Sequence, residues 1–292
     1  MKLDPQCIPC VLNHAYKMAD RYLKSDEEKV TYLKDVMESI INTPSSKASP
    51  YITGISYKLL KSYLGLDENY DFYSEERKYF NEKLLNLGDE LEQLIKNSSD
   101  RLLTAVKIAA AGNIIDFGVF DNVEKNVMEK AIIPTLKKEF PMEVYNKFKK
   151  DLEKSKYLLY VGDNAGEIVL DMLLIKEIKN YNPKLQIIFV TRGGYILNDV
   201  TKEDAYMVGI DKFACVIDNG TNIPGTDLEE VSEEFMKWFE KADIIISKGQ
   251  GNFETLGDVH GHNIYFIFLC KCDLIMKKTN LKSLDIAFLN VE

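Results

Sequence analysis

Tyr157-Leu158-Leu159-Tyr160-Val161-Gly162-Asp163-Asn164-Ala165-Gly166-Glu167 decides how this chain is read. An apolar run enters a turn that carries a carboxylate, an amide and a pair of glycines. A helical pattern follows, Ile168-Val169-Leu170-Asp171-Met172-Leu173-Leu174-Ile175. The order is a buried strand, a tight loop and a helix. In open α/β proteins such a loop lies at the carboxyl end of a strand, where ligands bind. Asp163 and Asn164 place hard oxygen donors there, the kind a divalent metal takes.

The same texture continues to the end of the chain. Strands are predicted at Tyr157–Val161, Gln186–Val190, Phe213–Ile217, Asp243–Ile246 and Ile264–Leu269. Helical patterns separate most of them, at Ile168–Asn180, Lys202–Met207 and Leu228–Glu240. Short apolar strands alternating with helices predict a parallel sheet covered on both faces. Residues 1–155 differ: apolar residues recur at helical spacing over Cys7–Tyr22, Glu27–Ile41, Ser74–Lys96, Arg101–Ala111, Val123–Leu136 and Glu143–Leu152. The expectation is an α/β protein, with a helical domain over 1–155 and a sheet domain over 156–292.

Polar residues collect at the predicted strand ends, which a parallel sheet gathers on one edge. They are Gly162-Asp163-Asn164, then Thr191-Arg192-Gly193-Gly194 with Asn198-Asp199, and Asp218-Asn219-Gly220. Ser247-Lys248-Gly249-Gln250-Gly251-Asn252 and Cys270-Lys271-Cys272-Asp273 complete the set. Glycines at 249 and 251 let a backbone approach a ligand closely. Two plainer readings stand beside this one. Gly-Asp-Asn is also turn and cap chemistry, and Asp199 would serve as a cap for the helix near Thr201. Asn113 and Asp116 interrupt an apolar helix, either to wall a pocket or to end the helix by local capping.

Bulk properties narrow the function classes. The chain has 292 residues, 46% of them hydrophobic, and 46 acidic against 37 basic residues. A net charge of −9 argues against nucleic acid as a partner. Neither a leader segment nor a long apolar span is evident, so a cytoplasmic protein is expected. The cysteines number five, an odd count that does not suit a secreted disulfide framework. Cys7, Cys10 and His14 share a helix face. Two thiols are half of the usual zinc set, so buried small side chains are the expected role. There is no phosphate loop of the Gly-x-x-x-x-Gly-Lys type, no complete dinucleotide fingerprint and no nucleophile elbow.

Taken in order, Cys7-Ile8-Pro9-Cys10, Ala111-Gly112-Asn113-Ile114-Ile115-Asp116, Gly162-Asp163-Asn164-Ala165-Gly166-Glu167, Thr191-Arg192-Gly193-Gly194, Leu197-Asn198-Asp199-Val200-Thr201 and Lys248-Gly249-Gln250-Gly251-Asn252-Phe253-Glu254 resemble the DUF89 family. These are the damage-control phosphatases related to the ARMT1-like proteins, and the Cys-x-x-Cys resembles their compact microbial subgroup. The resemblance implies a Rossmann-like α/β part and a divalent metal (Mn, Co, Ni or Mg) on Asp163, Asn164 and Asp199. It implies phosphate contact from Lys248 and small phosphorylated metabolites as substrates, sugar phosphates or damaged cofactor intermediates.

On that reading a metal polarises the phosphoryl oxygen and Lys248 binds phosphate as a point charge. Gly249 and Gly251 contribute backbone amides. Arg192, Lys271 and Asn252 are further phosphate or pocket candidates, and Asn113 and Asp116 select the leaving group. Glu167 and Asp199 are both open as the base. Two other classes stay open as well: an S-adenosylmethionine-dependent methyltransferase, suggested by the loop after the first strand, and a phosphometabolite-binding protein without turnover.

Overall fold

The computed structural model describes residues 1–112 and 127–292, so Asn113 and Asp116 lie outside the described residues. Its centre is a six-stranded sheet: β1 (Tyr157–Val161), β2 (Gln186–Thr191), β3 (Cys215–Asp218), β4 (Ile244–Lys248), β5 (Ile264–Leu269) and β6 (Ile286–Val291). The spatial order is β3-β2-β1-β4-β5-β6. The first five strands are parallel, and β6 runs antiparallel along β5. The strand order reverses between β1 and β4, and a crevice opens beyond the carboxyl ends at such a point. The Asp163 and Lys248 segments flank it.

Side-chain alternation sorts the sheet into two cores. Leu158, Tyr160, Ile187, Phe189, Ile244, Ile246, Tyr265 and Ile267 face one cluster. Leu159, Val161, Ile188, Val190, Ile245, Phe266 and Phe268 face the other. The first cluster is roofed by α4 (Ser74–Asn86), α5 (Gly88–Lys96), α6 (Arg101–Ala111), α7 (Ile133–Leu136), α8 (Met142–Lys154) and α9 (Glu167–Tyr181). The second is covered by α11 (Glu233–Lys241), α12 (Gln250–Leu256) and α13 (Asp273–Thr279). The short α10 (Lys202–Val208) follows β2. One continuous core thus crosses residue 155, where the sequence changes texture. A smaller cluster holds α1 (Cys7–Tyr22), α2 (Asp26–Asn42) and α3 (Ser49–Tyr63) together around Ala15, Met18, Tyr32 and Leu60, and Ile196 from the α/β half enters it.

Several local outcomes differ from the periodicity. Ser74–Lys96 is two helices, divided at Leu87 and Gly88. Helix α3 begins with Pro50 in its first turn, the position where a missing N–H costs nothing. The glycine-bearing stretch after Gly249 forms α12, and β6 closes the sheet edge. β4 extends through Ser247 and Lys248, so Lys248 is a strand residue paired with Ile267. Among the described residues no helix is long and apolar enough to cross a membrane.

Candidate active site

The β1–α9 loop and the loop after β2 are stitched together by backbone bonds. Val200 N–H donates to the Asp163 carbonyl (2.9 Å), and Ala165 N–H donates to the Asn198 carbonyl (2.9 Å). Asn164 and Asp199 form an isolated antiparallel bridge. Thr201 rather than Asp199 caps α10, in a reciprocal box with Asp204. That cap leaves the Asp199 carboxylate for the site. It is buried, and Arg192 Nε donates to it at 2.6 Å.

Asp163, Glu167 and Asp199 are all buried. Asn164 Nδ2 donates to Asp163 Oδ2 (2.6 Å) and reaches toward Glu167 Oε2 (3.4 Å). Burial holds the Asp163 carboxyl well above the usual carboxylate range. The neighbouring Glu167 and Asp199 charges add to this, and Arg192 and Lys248 oppose it. Asp199 is raised by burial against the pull of Arg192.

The placement of Lys248 differs from that of a solvent-facing phosphate cation. Its side chain follows Ile244 and Ile246 on the α6–α9 face of the sheet and is fully buried. The ammonium donates to Glu167 Oε1 (2.5 Å), Asp171 Oδ1 (2.5 Å) and the Ala109 carbonyl (3.0 Å). An ammonium has three hydrogens, and three acceptors are present. Glu167 and Asp171 are four residues apart on α9 and so share a face. Ala109 lies in the last turn of α6, where carbonyls lack helical partners and favour a cation. Asp171 also accepts from Tyr160 Oη at 2.7 Å. Burial raises its carboxyl to about 6, although Lys248 pulls the other way.

Other expected site residues act as supports. Asn252 is buried; its amide donates to the carbonyls of Gly162 (3.2 Å) and Lys248 (2.7 Å), and its oxygen accepts from Thr226 (2.7 Å) and Arg192 (3.3 Å). It ties the ends of β1 and β4 together. The Gly249 amide is taken by the Ile267 carbonyl (3.1 Å), and Gly251 packs near Gly225. Lys271 is exposed just beyond β5. His14 turns to Tyr57 Oη (3.2 Å), Cys7 is half-buried and Cys10 is exposed, so the expected burial of both thiols is corrected for Cys10. His260 and His262 lie before β5, on the opposite edge of the sheet from Asp163.

Sequence reasoning missed Asp171, Tyr160 and Asn81. Asp171 had a signal: a lone carboxylate inside an apolar helix, one turn after Glu167. Asn81 had none. From α4 it accepts the Gly166 N–H (2.6 Å) and donates to Asp204 (2.7 Å), so the helical half fixes the β1–α9 loop.

The donor set suits a hard divalent cation. Among the described residues Asp163, Glu167, Asp171 and Asp199 share the buried cations Arg192 and Lys248, while Arg77, itself paired with Asp71 and Asp204, acts on Asp199 from farther off, so the acids are in excess. Among the described residues no three His, Cys, Asp or Glu side chains already form a metal cage. The expected set of Asp163, Asn164 and Asp199 supplies two carboxylates and one amide, and waters or substrate oxygens would fill the other positions.

The damage-control phosphatase ARMT1-like domain matches residues 3–285. The chain belongs to that family. An uncharacterised protein of Methanocaldococcus jannaschii is 35% identical over 280 residues, covering 93% of this chain and 90% of the relative. A damage-control phosphatase of Pyrococcus horikoshii is 29% identical, covering 95% and 94%. The crystal structure of a DUF89 family protein from P. horikoshii superposes with a TM-score of 0.86 at 26% identity, over 100% of both chains. In this member of the ARMT1-like family, the Asn164 and Asp199 segments meet beyond the carboxyl ends of β1 and β2, and Asp163 lies against Gly249 across the β1–β4 reversal of strand order.

Proposed function

We propose that this protein is a metal-dependent phosphatase that hydrolyses phosphomonoesters of small metabolites. The observation that carries the reading is the bridging of Asn164 to Asp199 beside a buried Asp163, at the carboxyl edge of the sheet. The family membership and the names of its relatives support the reaction class.

Asp163, Asn164 and Asp199 would hold Mg, Mn, Co or Ni, since oxygen donors discriminate weakly among them. When bound, such an ion neutralises phosphoryl oxygens and lowers the pKa of a water. Arg192 orients Asp199 through its Nε contact. Its Nη1 is buried without a hydrogen-bond partner among the described residues, which leaves a donor for an anionic oxygen. Lys248 orients Glu167, whose position beside Asn164 and Asp163 suits a base for the attacking water. Gly112 lets α6 approach the same carboxylate: a Cβ there would stand 2.8 Å from Glu167 Cγ. The acidic chain charge and odd cysteine count favour a cytoplasmic enzyme acting on small molecules.

The test is phosphate release from an aryl phosphate and from sugar phosphates, with and without divalent metal. Turnover should require metal and vanish in Asp163→Ala while the fold persists. Undiminished turnover in that variant, or in chelator, would refute the proposal.

A further inference from the structure

A cavity of about 240 Å³ lies between α3 and the loops that follow β2 and β3, walled by Tyr57, Lys58, Lys61, Ser62, Tyr195 and Asn222 among others. None of Asp163, Asn164, Glu167, Asp199 and Lys248 lines it. Lys61 decides its character. Among the described residues the buried lysines are Lys47, Lys61 and Lys248. Lys47 is held by Asp227, Glu229 and Glu230, and Lys248 by Glu167 and Asp171. Lys61 instead donates to two carbonyls of the cavity wall, Glu68 (2.7 Å) and Tyr195 (3.2 Å). The Glu68 carboxylate turns to Lys58, 3.4 Å away.

Carbonyls orient an ammonium without neutralising it. Burial lowers the Lys61 pKa, and the carboxylates that oppose it, Asp71, Asp67 and Glu68, act at longer range than an ion pair, Asp71 being held by Arg77 and Glu68 by Lys58. Two acceptors use two of its three hydrogens. Exposed Ser62 and Asn222 supply neutral polar groups on the same wall.

We infer that this cavity binds the anionic group, phosphate or carboxylate, of a small metabolite, at a site apart from the Asp163 centre. The volume suits such a group with a short carbon body. An occupant would touch Tyr195 and Ile196, and the Ile196 carbonyl accepts the Asp199 N–H at 3.1 Å. The site therefore sits on the loop that carries Asp199.

The experiment is calorimetric titration of inorganic phosphate into the full chain, in chelator and at low salt. Saturable binding at one site is expected, weakened about tenfold or more by Lys61→Met, as befits loss of one charge-assisted contact. Asn222→Asp, which keeps the carbonyl contacts of Lys61, should weaken it similarly by repulsion, and circular dichroism reports folding of both. Should Lys61→Met fail to fold, Asn222→Asp alone decides. Wild-type affinity in the folded variants, or no saturable binding by the wild type, overturns the inference. The readout uses neither metal nor turnover, so it fails separately from the phosphatase reading.

Discussion

Gly249 packs its α-carbon against the Asp163 carboxylate: a Cβ built there would stand 1.9 Å from Oδ2 and 2.1 Å from Cγ. Its φ of +78° is also a backbone state that side chains rarely adopt. Two independent constraints therefore demand glycine at this position, and both act on the residue at the centre of the site.

Gly249→Ala should displace Asp163 and cut turnover by about 100-fold or more, since sub-ångström placement of such groups governs rate. Strain should also destabilise the fold by about 1–3 kcal/mol. Gly251→Ala meets only ordinary contacts, with Gly225 N at 3.7 Å, and should cost far less. Steady-state kinetics and thermal melts on the pair check this. Equal effects would mean that the Asp163 contact is not what glycine protects.

Lys248→Met removes the counter-charge of Glu167 and Asp171 together. A broken buried ion pair costs about 3–5 kcal/mol, so urea melts should show a large loss of stability. A cation that served only to bind phosphate would raise KM and leave stability unchanged. Adding Asp171→Asn to Lys248→Met should restore part of the loss, because one uncompensated charge disappears.

The metal-free protein should lose stability as pH rises from mildly acidic to neutral. Asp163, Asp171 and Asp199 ionise above the ordinary Asp value of 3.8, Asp171 at about 6. Between those values the folded state keeps protons that the unfolded chain has released. The stabilising contribution of Asp171 is full below pH 3.8 and is lost as pH passes through about 6, and Asp163 and Asp199 act in the same direction. A divalent cation should offset the loss, and more so at higher pH. Thermal melts across pH with and without manganese measure it. The same rise in Tm with metal in Asp163→Asn as in wild type would disprove binding at this carboxylate.

Asn81→Ala should slow turnover although Asn81 belongs to the helical half. It leaves the Gly166 N–H and the Asp204 carboxylate short of a partner, at a cost of about 1–3 kcal/mol. Kinetics alongside a melt separate the two effects. Unchanged kcat would show that the loop holds its shape without this bond.

The strands were legible because buried parallel strands are short apolar runs, and the glycine and Asp positions at their ends announced one working edge. β6 was hidden, since this antiparallel edge strand is buried only as far as Phe288 and its apolar run is broken by Asn290. The Ser74–Lys96 periodicity carried across a break that only Gly88 signals. The placement of Lys248 in a loop is corrected for a geometric reason. Beside two glycines it looked like a loop cation, yet β4 extends through it, and strand alternation turns it inward.

The chain by itself determined the α/β class and the gathering of Asp163, Asn164 and Asp199 at the strand-end edge, because periodicity and turn chemistry are local. Tertiary structure alone decided partners: Lys248 with Glu167 and Asp171, Arg192 with Asp199, Asn81 with Gly166. Pairing of buried charges depends on which faces meet across the sheet, and residues 81 and 166, or 167 and 248, acquire that relation only when distant elements pack.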